Sequence, residues 1–269
     1  MGIISRKRPT ERPVVGLVLG GGGARGFVQV GALKAFKECG IDFDICVGTS
    51  VGSIIGALYC AGIEPDEIMR AAESLEFGDL HGKILFKPDN PRKIGDALYR
   101  IIGDAQIENL HIKYAAVATD LKTGKQVIMN SGSVLDAVSA SSAFPIAYAP
   151  LQKDGMNLSD GGLVNNIPAD VCRMLGAKKT VTVDAHGSRG SGTDGTGIFD
   201  MLKAMFSIMS ANASVVGLMH SDVVIAPDTS AFKSTSKSGY MEMYELGYRA
   251  ALEKCDEIKA LFEPLPANN

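Results

Sequence analysis

Short unbroken apolar runs punctuate this chain, and between them lie longer stretches with apolar positions every three or four residues. Val14-Val15-Gly16-Leu17-Val18-Leu19, Ile45-Cys46-Val47, Tyr114 to Thr119, Gln126 to Met129, Lys179 to Asp184 and Val223-Val224-Ile225 have the length and composition of strands. The first run has no polar alternation, as expected of a parallel strand buried on both faces. Phe27 to Cys39 has helical spacing, with Val30, Leu33, Ala35 and Phe36 inward, Lys34, Lys37 and Glu38 outward, and Gly40 as its stop. Further helices are expected from Pro65, over Pro91–Ile102, Val134–Ser142, Ala169–Leu175 and Phe199–Met219, and over Tyr240–Phe262 with a single break at Gly247. Lys122-Thr123-Gly124-Lys125 reads as a hairpin turn, Ile146–Leu151 as extended, and Met156–Asp160 as a strand-like segment.

Two turns in this pattern can carry chemistry. The first strand runs into Gly20-Gly21-Gly22-Gly23-Ala24-Arg25-Gly26. The second runs into Gly48-Thr49-Ser50-Val51-Gly52 and then the apolar helix starting Ile54-Ile55. Glycines two residues either side of Ser50 let strand and helix backbones pass closely, the pattern of a nucleophile elbow. The hydroxyl would stand at the positive amino end of a helix. The alternative is a glycine-softened turn with an inert serine. Gly21-x-Gly23-x-x-Gly26 also fits a dinucleotide fingerprint. That motif asks for an acidic residue about twenty positions on, and Gly48-Thr49-Ser50 occupies the place. No Gly-Lys-Ser/Thr follows, which excludes a P-loop. Consecutive glycines instead present backbone N–H groups to one oxygen, as an oxyanion hole does.

A serine hydroxyl needs a base. Asp160-Gly161-Gly162 ends a strand-like segment and leads through Asn165-Asn166-Ile167-Pro168 toward a helix, so Asp160 is the best-placed carboxylate. His186, after a strand, offers a Ser–His–Asp alternative. Ser141 and Ser142 read as packing residues. Phe77 to Lys93 reads as a loop or as an apolar flap over the site, Gly187–Gly197 as a mobile Gly/Ser-rich stretch, and the methionines of 199–219 as core or a pliable contact surface.

Composition narrows the classes. The chain has 269 residues, 46% hydrophobic, with 27 basic and 30 acidic residues and a net charge of −3. One large α/β domain over 13–269 is expected after a flexible segment, 1–12. Without a basic stripe, no nucleic-acid partner is expected. The five cysteines, 39, 46, 60, 172 and 255, sit in apolar settings and read as reduced core residues, hence a cytoplasmic chain. No apolar run is read as long enough for a transmembrane helix, so any membrane contact is expected to be peripheral. Residues 1–12 lack the apolar core of a signal peptide, and Arg6 stands where a myristoylation signal carries Ser or Thr.

Gly21-Gly22-Gly23-Ala24-Arg25-Gly26, Gly48-Thr49-Ser50-Val51-Gly52 and Asp160-Gly161-Gly162, in that order, resemble the patatin-like phospholipase family. Ala140-Ser141-Ser142-Ala143-Phe144-Pro145 and Asn166-Ile167-Pro168 are similar too. The resemblance implies a three-layer α/β/α fold with a mainly parallel central sheet, of the bacterial stand-alone type. It implies a Ser50–Asp160 dyad without histidine and an oxyanion hole at Gly21, Gly22 and Gly23. Arg25 would order that loop or attract an anionic head group. Gly26, Gly48, Gly52, Gly161 and Gly162 would be the elbow and motif glycines. The implied substrates are phospholipids, lysophospholipids or other acyl esters, with no metal and no cofactor. A non-catalytic regulatory or binding module on the same fold is the competing expectation.

Overall fold

Among the described residues, the apolar runs become strands of a single eight-stranded sheet. A computed structural model describes residues 12–74, 88–145, 147–186, 195–232 and 239–264. β1 (Val15–Leu19) lies between β2 (Ile45–Thr49) and β7 (Lys179–Val183), all parallel. β3 (Lys113–Asp120) extends the parallel set beyond β2, and β8 (Val223–Ile225) extends it beyond β7. β4 (Lys125–Met129), β5 (Leu151–Lys153) and β6 (Met156–Asp160) add antiparallel pairings around β3. The β5–β6 hairpin differs from the extended 146–151 stretch the sequence suggests. It turns on Asp154 and Gly155, both with positive φ, as the twist of a two-residue hairpin demands.

One face of the sheet carries the thick helical layer. It contains α1 (Phe27–Glu38), α2 (Val51–Cys60), α3 (Pro65–Ser74), α4 (Arg92–Ile102) and α5 (Val134–Ser141). The other face carries α6 (Ala169–Met174) and α7 (Ile198–Met219). The chain then returns to the thick side as α8 (Tyr240–Leu252) and α9 (Cys255–Ala260). Strand alternation feeds both layers. Leu17, Leu19 and Cys46 pack on the thick side, and Val18, Val47 and Val117 pack on the α6 side.

Three sequence expectations change here. The closing helix breaks after Leu252, between α8 and α9, and runs unbroken through Gly247. A Cβ at Gly247 would overlap the Val28 carbonyl, and one at Gly31 the Tyr244 carbonyl. These glycines therefore let α1 and α8 cross at backbone contact. Second, Cys39 and Cys255 are disulfide-bonded, their Cα atoms 6.3 Å apart, because the α1–α8–α9 packing brings the end of α1 to the start of α9. Cys46, Cys60 and Cys172 are free and buried. The compartment reading thus loses two of its five reduced thiols. Third, α7 is long and apolar enough, by length and composition, to cross a membrane, with a mean hydropathy of 1.3. Its methionines face outward, and the buried positions are Ser207, Ser210, Ser214 and Gly217.

Arg12, at the end of the expected N-terminal segment, pairs with Asp44 at 2.8 Å and lies over the Phe262 ring. Most of the expected 77–93 flap and of the 187–197 stretch falls outside the described residues.

Candidate active site

β3 acts as a template that brings two distant strand ends together. Thr49, the last residue of β2, pairs with Val117, and Asp160, the last residue of β6, pairs with Ala118. β2 and β6 therefore meet head to head along one edge of β3. The residue after Thr49 is Ser50, and its Oγ donates to Asp160 Oδ2 at 2.7 Å.

Ser50 itself has φ 53° and ψ −128°, a region that non-glycine residues rarely adopt. Such a conformation persists only when its surroundings over-determine it. Gly48 and Gly52 touch across the elbow, and a Cβ at Gly52 would overlap the Leu19 carbonyl. The Ser50 N–H donates to Ser141 Oγ at 3.0 Å, and Ser141 Oγ in turn donates to the Val117 carbonyl at 2.6 Å. Ser53 Oγ donates to the Ser50 carbonyl at 2.6 Å, and the Tyr114 hydroxyl donates to the Ser53 carbonyl at 2.8 Å. Ser141, read from sequence as packing, is thus the side chain that holds the elbow amide.

Asp160 is 1% exposed. Its Oδ1 accepts from Gly162 N at 2.8 Å, and its carbonyl accepts from Thr119 Oγ1 at 2.8 Å. Burial pushes the carboxyl up to about 6, against the opposing pull of the Gly162 N–H and the Ser50 hydroxyl. A group with that value is ionised at neutral pH yet basic enough to take a proton. A Cβ at Gly161 would overlap the Val117 carbonyl, so the Asp-Gly-Gly turn lies directly on β3.

The glycine-rich loop closes the site from the β1 side. Gly20 N donates to Val183 O at 3.2 Å, and Gly21 N donates to Asn166 O at 3.1 Å. Gly21 therefore spends its N–H on the loop, while a side chain there would press on Ser50 and Asn166. Gly22 precedes the short 3₁₀ turn Gly23–Gly26, and Gly23 has φ 60°. Gly26 packs on Val51 at the start of α2. Arg25 is buried. It donates from Nε to the Phe232 carbonyl at 3.0 Å and from Nη1 to the His186 carbonyl at 3.3 Å. Of its two expected roles, these contacts serve the ordering of the loop. Burial lowers its pKa, with Asp184 opposing.

His186 stands elsewhere in the network. Its Nε2 meets Ser207 Oγ at 3.3 Å, and its backbone N–H donates to Asp184 Oδ1 at 2.9 Å. Burial first, and then the Arg25 cation, lower its pKa. Sequence reasoning gave Asn166 no function of its own. Its carbonyl fixes Gly21 and its Nδ2 donates to Ser214 Oγ at 3.1 Å, while Ser210 Oγ donates to Gly162 O at 2.9 Å. The signal was present as Ser207, Ser210 and Ser214, three hydroxyls at helical spacing in a segment, 204–219, whose one other polar side chain is Asn212. An apolar recess lined by Gly23, Phe27, Val51, Ile54, Ile55 and Ile68 lies beside the loop and the elbow.

Residues 17–173 match the family model described as patatin-like phospholipase. The chain belongs to the patatin-like phospholipase family. It is 38% identical over 198 residues to patatin-like phospholipase domain-containing protein 7 of Rattus norvegicus, covering 70% of this chain and 14% of that protein. It is 37% identical over 190 residues to an uncharacterized NTE family protein of Mycobacterium tuberculosis, covering 68% of this chain and 52% of that one. A Caenorhabditis elegans patatin-like phospholipase domain-containing protein is 32% identical and covers 91% of this chain, which spans 21% of it. The chain thus spans about half, or much less, of the curated relatives it matches. Among solved structures, VipD from Legionella pneumophila superposes with a TM-score of 0.62 at 15% identity, covering 95% of this chain and 72% of that one. The type III effector protein ExoU gives 0.51 at 12% identity, with 92% and 53% covered. These two likenesses show the patatin-like fold, the three-layer architecture described above.

Proposed function

We propose that this chain is a serine hydrolase of lipid acyl esters, of phospholipase A, lysophospholipase or esterase type, working through a Ser50–Asp160 dyad. The observation that carries the reading is the 2.7 Å hydrogen bond from Ser50 Oγ to Asp160 Oδ2 on a strained elbow. Ser50 Oγ attacks the ester carbonyl carbon as Asp160 takes its proton. The tetrahedral oxyanion is held by the free-standing amides of the loop, for which Gly22 and Gly23 are the candidates, near the positive end of α2. Collapse expels the alcohol, which receives the proton from Asp160, and leaves an acyl-Ser50 ester. Asp160 then deprotonates a water that attacks this ester, releasing the fatty acid and restoring the hydroxyl. Membership of the patatin-like phospholipase family supports a lipid acyl ester as the substrate class.

Hydrolysis of a short-chain p-nitrophenyl ester by wild type, Ser50→Ala, Asp160→Asn and His186→Ala tests the assignment. All four are first checked for folding. Loss of at least about a hundredfold in the first two variants, with His186→Ala within a few-fold of wild type, is the expected result. Equal activity in all four sinks the dyad, and loss with His186→Ala restores the triad.

A further inference from the structure

α7 is inside out for a helix packed on a soluble core. Ser207, Ser210 and Ser214 are its buried side chains, while Met205 is 57% exposed, Ile208 53% and Val216 54%. Its two charged residues, Asp200 and Lys203, lie near its start, and residues 204–219 contain none. At about 100° per residue, the exposed side chains cover roughly half the helix circumference along about 33 Å of length, all of them apolar except Asn212 near the middle of the arc. A face that meets one partner helix is a narrower stripe. A convex apolar half-cylinder is matched by a continuous apolar medium in which the helix lies lengthwise.

The inward serines exclude the other membrane geometry. Ser210 holds the Gly162 carbonyl, and Ser214 accepts from Asn166, so α7 is fastened along its length to the two turns of the site and cannot stand across a bilayer. On its flank Phe206 packs edge-on against Phe144, with 4.5 Å between ring centroids. Phe144 lies three residues beyond Ser141, the side chain that holds the Ser50 amide. The carbonyl of the preceding residue, Ala143, accepts from the Asp160 N–H at 3.0 Å, so the flank of α7 packs on the segment that borders the site.

From these observations we infer that α7 is the docking face of the protein for a lipid surface, its outer half immersed in the acyl region with the site beside it. This rests on the reading of the site as a lipid ester hydrolase, and it names how that site meets substrate. The docked helix carries its load through Ser210 and Ser214 into the Asp-Gly-Gly turn and the glycine loop, so the surface that binds lipid also holds the catalytic turns.

The test is co-sedimentation of the full chain with phosphatidylcholine vesicles, using Ser50→Ala so that binding is read without turnover. The double variant M205D/I208D and, at the other end of the helix, V216D are made in the same background and in wild type. The expected result is sedimentation of the parent and at least about a tenfold weaker partition for both variants. Both would keep their circular dichroism and, in the wild-type background, their hydrolysis of a soluble p-nitrophenyl ester. Equal sedimentation of parent and variants, or none by the parent, overturns the inference. A parent that is dimeric by light scattering, becomes monomeric in the variants and ignores vesicles also overturns it, and assigns the face to a second copy. Vesicle binding without any ester hydrolysis would leave the docking face standing and remove the hydrolase reading.

Discussion

Asp160 shows what a residue's surroundings can do to its chemistry. An unfolded aspartate titrates near about 3.9, whereas burial pushes the folded Asp160 to about 6. The folded state therefore holds this proton more tightly than the unfolded state. The stability this contributes is complete below about pH 4 and lost as pH rises through about 6. Catalysis needs the opposite form, since only the carboxylate can accept the Ser50 proton. Two opposed pH dependences should come from the one residue. The kcat/KM for a soluble p-nitrophenyl ester, followed where nitrophenol and nitrophenolate absorb equally, should be level above about pH 7 and fall about tenfold per unit below 6. The Tm of Asp160→Asn should exceed that of wild type by more at pH 8 than at pH 4, since asparagine carries no charge to desolvate. A rate profile flat through pH 6 would contradict the base assignment. Ser50 and Asp160 were legible in sequence because glycines bracket the first and directly follow the second. Ser141 was not, because a hydroxyl that donates to one carbonyl and accepts one amide looks like any buried serine until the chain is folded.

At the scale of elements, the site depends on strands and helices being brought closer than side chains usually permit. β2 and β6 can abut on β3 only because Gly161 lies flat on the Val117 carbonyl and Gly48 and Gly52 touch at the elbow. The α1–α8 crossing uses the same device, and α1 is the helix that continues from the glycine loop. The sequence pattern placed these strands and helices well because apolar runs and periodicity are local signals. It placed the Gly247 break wrongly because a glycine inside a helix reads as a weak point unless the facing helix is known. Gly247→Ala tests the distinction. In an isolated helix the change would stabilise by about 1 kcal/mol. Here the new methyl meets the Val28 backbone, which has no rotamer to yield, and overpacking of this kind costs about 1–3 kcal/mol or more. The clash should win, lowering Tm by about 2–4 °C for each net kcal/mol lost. A Tm equal to or above wild type would mean that the two helices separate freely. β6 was legible as a strand-like segment, but its hairpin partner β5 was not, for a related reason: a three-residue strand is too short to show a period.

Across the whole molecule, function gathers at one end of the sheet and constraint at the other. The carboxyl ends of β1, β2 and β6 carry the glycine loop, the elbow and Asp160, with α7 alongside. α1 leaves the glycine loop and runs about 18 Å over its twelve residues to Cys39, where the disulfide to Cys255 ties the first βαβ unit to the last helix. No local pattern could reveal that bond, since its partners are 216 residues apart and each sits among apolar neighbours. Because the bond closes a long loop, its loss should release considerable unfolded-state entropy, about 2–4 kcal/mol in stability. Because it lies a helix length from Ser50, its loss should leave the chemistry alone. Peptide mapping under non-reducing conditions should recover Cys39 and Cys255 in one linked species. Reduction, or Cys39→Ser, should then lower Tm by several degrees while the initial rate of ester hydrolysis at 25 °C stays within about twofold of the oxidised wild type. A matching fall in rate would show that α1 transmits strain from its far end to the glycine loop. An unchanged Tm with free thiols at both positions would return this pair to the reduced cysteines that the sequence suggests, and with them the support for a reducing compartment.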